Sequence, residues 1–240
     1  MLDKNRNYLI VGASSGIGRA IAEQLGQNDV NLWCASRRKI EAYDKWGVDY
    51  VELDVTSESV SALDRALPEV LNGLIYCPGS INLKPFQSLK IDDYRADWEL
   101  NFMGAVKVLQ ACQKRLQKAK DASVVLFSTI ATKTGMSYHA SIAAAKAAVE
   151  GLAISLAAEW ARHNIRVNVI ALSLTDTPLA ARLLSDEKRQ KASAERHPLK
   201  RIGHPQGAAA AALYLLDNKA DWVTGQIICV DGGLSKLKPL

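Results

Sequence analysis

The stretch YLIVGASSGIGRAIAEQL, residues 8–25, decides the architecture of this chain. An apolar strand runs straight into a turn that sets Gly12, Gly16 and Gly18 at the turn and on the first turn of a helix. Glycines there allow a tight bend, a close backbone approach to a pyrophosphate and close helix packing, while the helix N-terminus offers free N–H donors and the positive end of its dipole. A glycine trio alone says little; between a strand and a helix it points to a dinucleotide site. The expected phosphate cradle is Gly12, Ser14, Ser15, Gly16, Ile17 and Gly18.

Working outward, short apolar runs alternate with amphipathic segments to the end of the chain, a pattern that implies βαβ units wound into a parallel sheet. Strands are expected near 8–12, 30–35, 49–53, 73–77, 123–128, 165–171 and 226–230. Seven strands fit one α/β doubly wound domain over residues 1–240. The segment ASIAAAKAAVEGLAISLAAEWARH, 140–163, is so rich in alanine that burial on more than one face, and subunit contact, are expected of it. The least regular stretch is 172–204, whose charge and prolines suit a mobile flap.

Composition narrows the classes. No uninterrupted apolar run approaches the roughly 18 residues of a membrane span, and the charged start MLDKNRNYLIVGA does not resemble a secretory signal. Cys34, Cys77, Cys112 and Cys229 have no metal-ligand spacing and read as buried reduced thiols of a cytoplasmic protein, with no metal site. The net charge of +5 comes partly from basic groups at 113–120 and 187–201, both interrupted, and these read as solvated faces rather than as a docking patch. Neither nucleic acid nor membrane is expected as a partner.

The second strand ends in ASRRK, where a dinucleotide-binding protein that takes NAD presents an acid to the ribose. Here Ser36, Arg37 and Arg38 offer a hydroxyl and guanidinium groups, which suit a 2′-phosphate and favour NADP(H) over NAD(H).

The segments GASSGIG, NFMGAVKVLQA, AAAKAAVEGLAISLAAEWARHNIRVNVIA and VTGQIICVDGG together resemble the short-chain dehydrogenase/reductase family, most closely the branch that includes 3-oxoacyl carrier-protein reductases, from Tyr8 to about Leu234. The resemblance implies a seven-stranded parallel Rossmann sheet, a homotetramer or homodimer, and hydride transfer between NAD(P)(H) and a small carbonyl or alcohol, acyl thioesters included. It implies a serine that polarises the substrate oxygen, a tyrosine that moves the proton, a lysine one turn later that holds the ribose, and an asparagine that supports a water relay.

Carried over by register, Asn101 matches the asparagine, Thr129 the serine, with Ser128 before it, and Lys146 the lysine. Four residues before Lys146 stands Ile142, a hydrocarbon at the tyrosine position. Tyr138 is the nearest phenol, but a separation of eight leaves two helical side chains roughly 80° apart, against about 40° for a separation of four. Tyr138 precedes the expected helix start, so it stays a candidate donor. His139, His163, His197 and His204 are weighed as substitute acids, His139 first because it adjoins the site in sequence.

The resemblance also makes Asp54 and Val55 the adenine contacts, Cys77, Pro78 and Gly79 the nicotinamide-side loop, and Thr175 and Thr177 contacts of the carboxamide. An aspartate like Asp54 also serves as a structural cap. Val11, YCPG at 76–79 and ALSLTDT at 171–177 depart from the family pattern, so the cofactor end reads as better kept than the reaction end. Three readings follow: an NADP(H)-dependent oxidoreductase with an atypical proton donor, a non-catalytic NADP(H)-binding sensor or scaffold, and an enoyl-type reductase.

Overall fold

A computed structural model describes residues 4–238. Seven parallel strands form one sheet: β1 (Asn7–Val11), β2 (Asn31–Ser36), β3 (Asp49–Glu52), β4 (Gly73–Tyr76), β5 (Ser123–Thr129), β6 (Arg166–Leu172) and β7 (Ile227–Val230). Their order is β3-β2-β1-β4-β5-β6-β7. Every strand lies within a residue or so of its expected place, because each apolar run is short and bounded by turn residues.

The helices between them are α1 (Gly16–Leu25), α2 (Ala42–Trp46), α3 (Ala62–Ala66), α4 (Ile91–Trp98), α5 (Gly104–Ala119), α6 (Ala140–Trp160), α7 (Glu187–Arg196) and α8 (Pro205–Leu216). Strand side chains alternate between the two faces. Leu9, Leu74, Leu126 and Val169 join Val108, Leu116, Val149 and Trp160 of α5 and α6 in one core. Ile10, Ile75, Val125 and Ile170 join Ile21, Leu25, Ala212 and Leu215 of α1 and α8 in the other. Burying a large aliphatic side chain of this kind is worth about 1.5–3 kcal/mol, so each strand is held from both sides. The order of strands reverses between β1 and β4, and ligands of open α/β sheets bind at the carboxyl ends of the strands beside such a switch point.

Two elements differ from expectation. The stretch 172–204 is largely helical: a 3₁₀ segment, Pro178–Leu184, is followed by α7, whose N-cap Asp186 accepts the Arg189 N–H at 2.9 Å. Capping by a charged residue and a proline at a 3₁₀ start are local signals that outweighed the absence of a long apolar run. The other is α6, whose buried residues, among them Ile142, Lys146, Val149, Ala153 and Trp160, follow one stripe, leaving the opposite face open within this chain. Ala140–His163 is, by length and composition, the one helix among the described residues apolar enough to cross a membrane. Lys146, Glu150 and Glu159 interrupt its apolar run.

Candidate active site

The turn after β1 is built for close approach. A Cβ on Gly18 would stand 2.3 Å from the carbonyl oxygen of Gly12, so only a hydrogen fits there. Ser15 is the N-cap of α1 in extended conformation with no side-chain cap bond. The first N–H groups of that helix therefore take no bond from the N-cap side chain, as an anion site requires. Ser14, Gly16 and Ile17 complete this turn, and Thr177 overlies it, 3.5 Å from where a Gly16 Cβ would be.

At the end of β2, Ser36 is buried and donates its hydroxyl to the Arg38 carbonyl at 2.8 Å. That bond folds the strand end so that Arg37 and Arg38 are exposed, with no salt bridge to either among the described residues. After β3, Asp54 accepts the Thr56 hydroxyl at 2.7 Å and the Thr56 N–H at 2.9 Å. Those bonds, chiefly the hydroxyl one, hold its carboxyl below the usual range, with Arg37 adding to the effect. Val55 is buried against Gly104.

The reaction end gathers around Gly79, beyond β4. A Cβ there would meet Asn101 Oδ1 at 3.3 Å and Lys146 Nζ at 3.5 Å, so the two polar tips share the space that glycine leaves open. Lys146 Nζ donates to the Phe127 carbonyl at 2.9 Å. Burial pushes its amine down to about 8, against a partial upward pull from Cys77 and Asp97. The neighbouring Cys77 thiol is itself pushed up by burial.

Asn101 sits in a π-helical turn, Glu99–Met103, in which the Gly104 N–H reaches back five residues to the Glu99 carbonyl. The bulge frees carbonyls, and side chains take them: Asn101 Nδ2 donates to the Asp97 carbonyl at 2.8 Å and the Tyr76 hydroxyl to that of Leu100 at 2.6 Å. Asn101 Oδ1 is buried with no hydrogen-bond partner, an orphan acceptor aimed at the Lys146 amine region.

Thr129, at the tip of β5, accepts the Ala131 N–H at 3.3 Å through Oγ1, which leaves its own hydroxyl proton available to another acceptor. Buried Glu150 pins the strand end on both sides of it, accepting Ser128 Oγ at 2.7 Å and Thr132 Oγ1 at 2.8 Å. Ile142, one turn before Lys146 on the same stripe, is 5% exposed. Thr175 is buried and pairs with Gly203, which ties the segment after β6 to the start of α8.

Tyr138 is not drawn into this group. It is 58% exposed with left-handed φ of 71°, and its carbonyl accepts the Lys84 N–H at 3.2 Å. His139 bonds within its own turn, to the Ser137 carbonyl. His163 adjoins Arg162, and His204 is the N-cap of α8. Of the four histidines, only His197 is buried, and its ring meets Ser173 just beyond β6.

Sequence reading missed Asp97 and Glu150. Asp97 is 2% exposed and accepts the hydroxyls of Ser80, at 2.6 Å, and Ser141. Its one signal in the sequence is an acid one turn before Asn101, which is indistinguishable there from a solvated helix acid.

The groups present fit a dinucleotide cofactor: an open helix N-terminus, a glycine cradle, two exposed guanidinium groups and an orphan acceptor, the Asn101 amide oxygen, beside a lysine. The family model described as enoyl-(acyl carrier protein) reductase matches residues 12–235. A tropinone reductase homolog of Arabidopsis thaliana is 31% identical over 95% of this chain and 92% of its own length. One from Datura stramonium is 31% identical over 94% and 90%. Among solved structures, the aldohexose dehydrogenase of Thermoplasma acidophilum superposes with a TM-score of 0.88 at 27% identity, covering 99% of this chain and 96% of that one. An Agrobacterium tumefaciens chain described as a 2-deoxy-D-gluconate 3-dehydrogenase with bound NADP gives 0.87 at 30% identity, covering 97% of each.

Proposed function

The chain belongs to the short-chain dehydrogenase/reductase family, and from that premise we propose that it is an NADP(H)-dependent oxidoreductase acting on a small carbonyl or alcohol. The observation that carries the reading is the meeting of the Lys146 amine and the orphan Asn101 Oδ1 over Gly79. A buried amide oxygen left unpaired costs about 1–3 kcal/mol, and a water or ribose hydroxyl between it and the lysine would remove that cost.

When bound, the nicotinamide supplies hydride chemistry. The chain's own residues bind and orient. Gly12, Ser14, Ser15, Gly16, Ile17 and Gly18 receive the diphosphate, and Asp54 with Val55 the adenine. Arg37 and Arg38 take the 2′-phosphate, while Ser36, whose hydroxyl donates to the Arg38 carbonyl, shapes the loop that presents them; Cys77, Pro78 and Gly79 flank the ribose, and Thr175 and Thr177 the carboxamide. Lys146 holds ribose hydroxyls, Asn101 a water, and Thr129 donates its free hydroxyl proton to the substrate oxygen. Four free cysteines support a reducing, cytoplasmic setting. Exposed Trp98 on α4 and Ile154 on α6 support assembly as a homodimer or homotetramer.

The second reading, a non-catalytic NADP(H) sensor or scaffold, is favoured by Ile142, a buried hydrocarbon that transfers no proton. Tryptophan fluorescence with NADPH, NADH and their oxidised forms, followed by a panel of ketones, sugars, polyols and acyl thioesters, separates the two. Turnover with NADPH supports the oxidoreductase. Tight binding without turnover on any of them supports the sensor, and no binding removes both.

A further inference from the structure

Half-buried Ser173 and buried His197 meet at the same carboxyl end of the sheet as Thr129. Leu172, the last residue of β6, is the register partner of Thr129, so Ser173 is the first residue past that strand, beside the carboxyl end of β5. Thr177, four residues on, overlies Gly16, so the segment 173–177 crosses from the Thr129 position to the phosphate turn.

His197 is 2% exposed. Its Nδ1 is 2.8 Å from the Ser193 carbonyl and its Nε2 is 2.9 Å from Ser173 Oγ. A carbonyl only accepts, so Nδ1 carries the ring proton. In the neutral ring Nε2 is then the acceptor, and the Ser173 hydroxyl donates to it. The fold thus selects the tautomer in which a hydroxyl faces a base whose far nitrogen is held by a third group. Asp231, at the end of β7, is also near. Burial works to raise its pKa, but bonds from Ser235 and Gly233, with the field of His197, keep it below the usual range. A carboxylate therefore stands by to offset charge on the ring.

We propose that Ser173 and His197 carry the proton that a phenol at position 142 would otherwise carry, a refinement that rests on the oxidoreductase reading. In alcohol oxidation the substrate O–H gives its proton to Ser173 Oγ while the Ser173 proton passes to His197 Nε2. A bound oxidised nicotinamide would take the substrate hydride as the carbonyl C=O forms, and the proton on Nε2 then returns through Ser173 Oγ to water once the product has left. In reduction the same protons run back, from Nε2 through Oγ to the oxygen of the nascent alcohol. Ser173 is the catalytic residue in this scheme, and His197 acts through it.

Two measurements on the full chain test this. Long-range ¹⁵N correlation spectra of the unliganded protein are expected to show His197 protonated at Nδ1 and bare at Nε2. In kinetics with NADP(H) and the substrate panel, Ser173→Ala and His197→Gln are each expected to lower kcat by about 10²-fold with KM and NADPH affinity near those of the parent. The double variant is expected to be no slower than either single one, and Ser173→Thr, which keeps the hydroxyl, to recover most of the rate. A ring protonated at Nε2, full turnover in Ser173→Ala, or rate losses that multiply in the double variant overturns the proposal while leaving the oxidoreductase reading intact. A parent protein that binds NADPH and turns over nothing on the panel overturns both.

Discussion

At Lys146 a single ammonium group pits burial against function. Its amine titrates near 8 in the fold, below its ordinary value of 10.5, because burial penalises the charge. Between those two values the unfolded chain binds more protons than the folded one, so stability rises with pH across that window. Below it the buried charge costs on the order of 3 kcal/mol, at about 1.4 kcal/mol per unit. Lys146→Met is thus expected to be more stable than the parent at pH 7 and to lose that advantage between pH 8 and 10.5, as urea melts across this range would show. A flat difference would mean that the lysine is not desolvated. Ile142 poses the complementary question. Ile142→Tyr places a phenol one helical turn before Lys146, and carbonyl reduction is expected to rise by about tenfold or more if Thr129, Asn101 and Lys146 are placed for chemistry. An unchanged rate would count against that placement.

Elements position these side chains. The strand–turn–helix unit of β1 and α1 depends on Gly18, since an added methyl would sit 2.3 Å from the Gly12 carbonyl. Gly18→Ala is expected to cost about 1–3 kcal/mol through overpacking and to weaken NADPH binding, read by thermal melts and fluorescence titration. The end of β2 tests cofactor choice. Arg37→Ala with Arg38→Ala is expected to weaken NADPH by about 10²-fold and NADH little, each charge-assisted bond being worth about 1.5–3 kcal/mol. An equal loss for both cofactors would place the arginines elsewhere. The π-turn at Glu99–Met103 was invisible in sequence. Its cause is tertiary: the freed carbonyls are satisfied by Asn101 itself and by Tyr76 from β4.

For the whole molecule, the two faces of the sheet are closed and the outer face of α6 is not. Ile154 is half exposed and Trp222, near the carboxyl end, is 97% exposed, which fits surfaces that a second copy covers. Light scattering is expected to give a dimer or tetramer mass for the parent and a smaller species for Ile154→Glu, since a buried unpaired charge is costly at an interface. A monomeric parent would leave α6 as a face open to water.

The seven strands and the glycine turn were legible in the sequence, because each rests on a local rule: an apolar run, or a strand that feeds a helix; Asn101, Thr129 and Lys146 were picked out by resemblance to the family, and their roles are proposals. The hydrocarbon at position 142 was legible through the same resemblance. Only the tertiary structure decided that Tyr138 turns to solvent, that Asp97 and Glu150 are buried carboxylates, and that His197, 24 residues beyond Ser173, shares a proton with it. These depend on which distant segments pack together and on how much water that packing excludes, and neither quantity is written in any short stretch of chain.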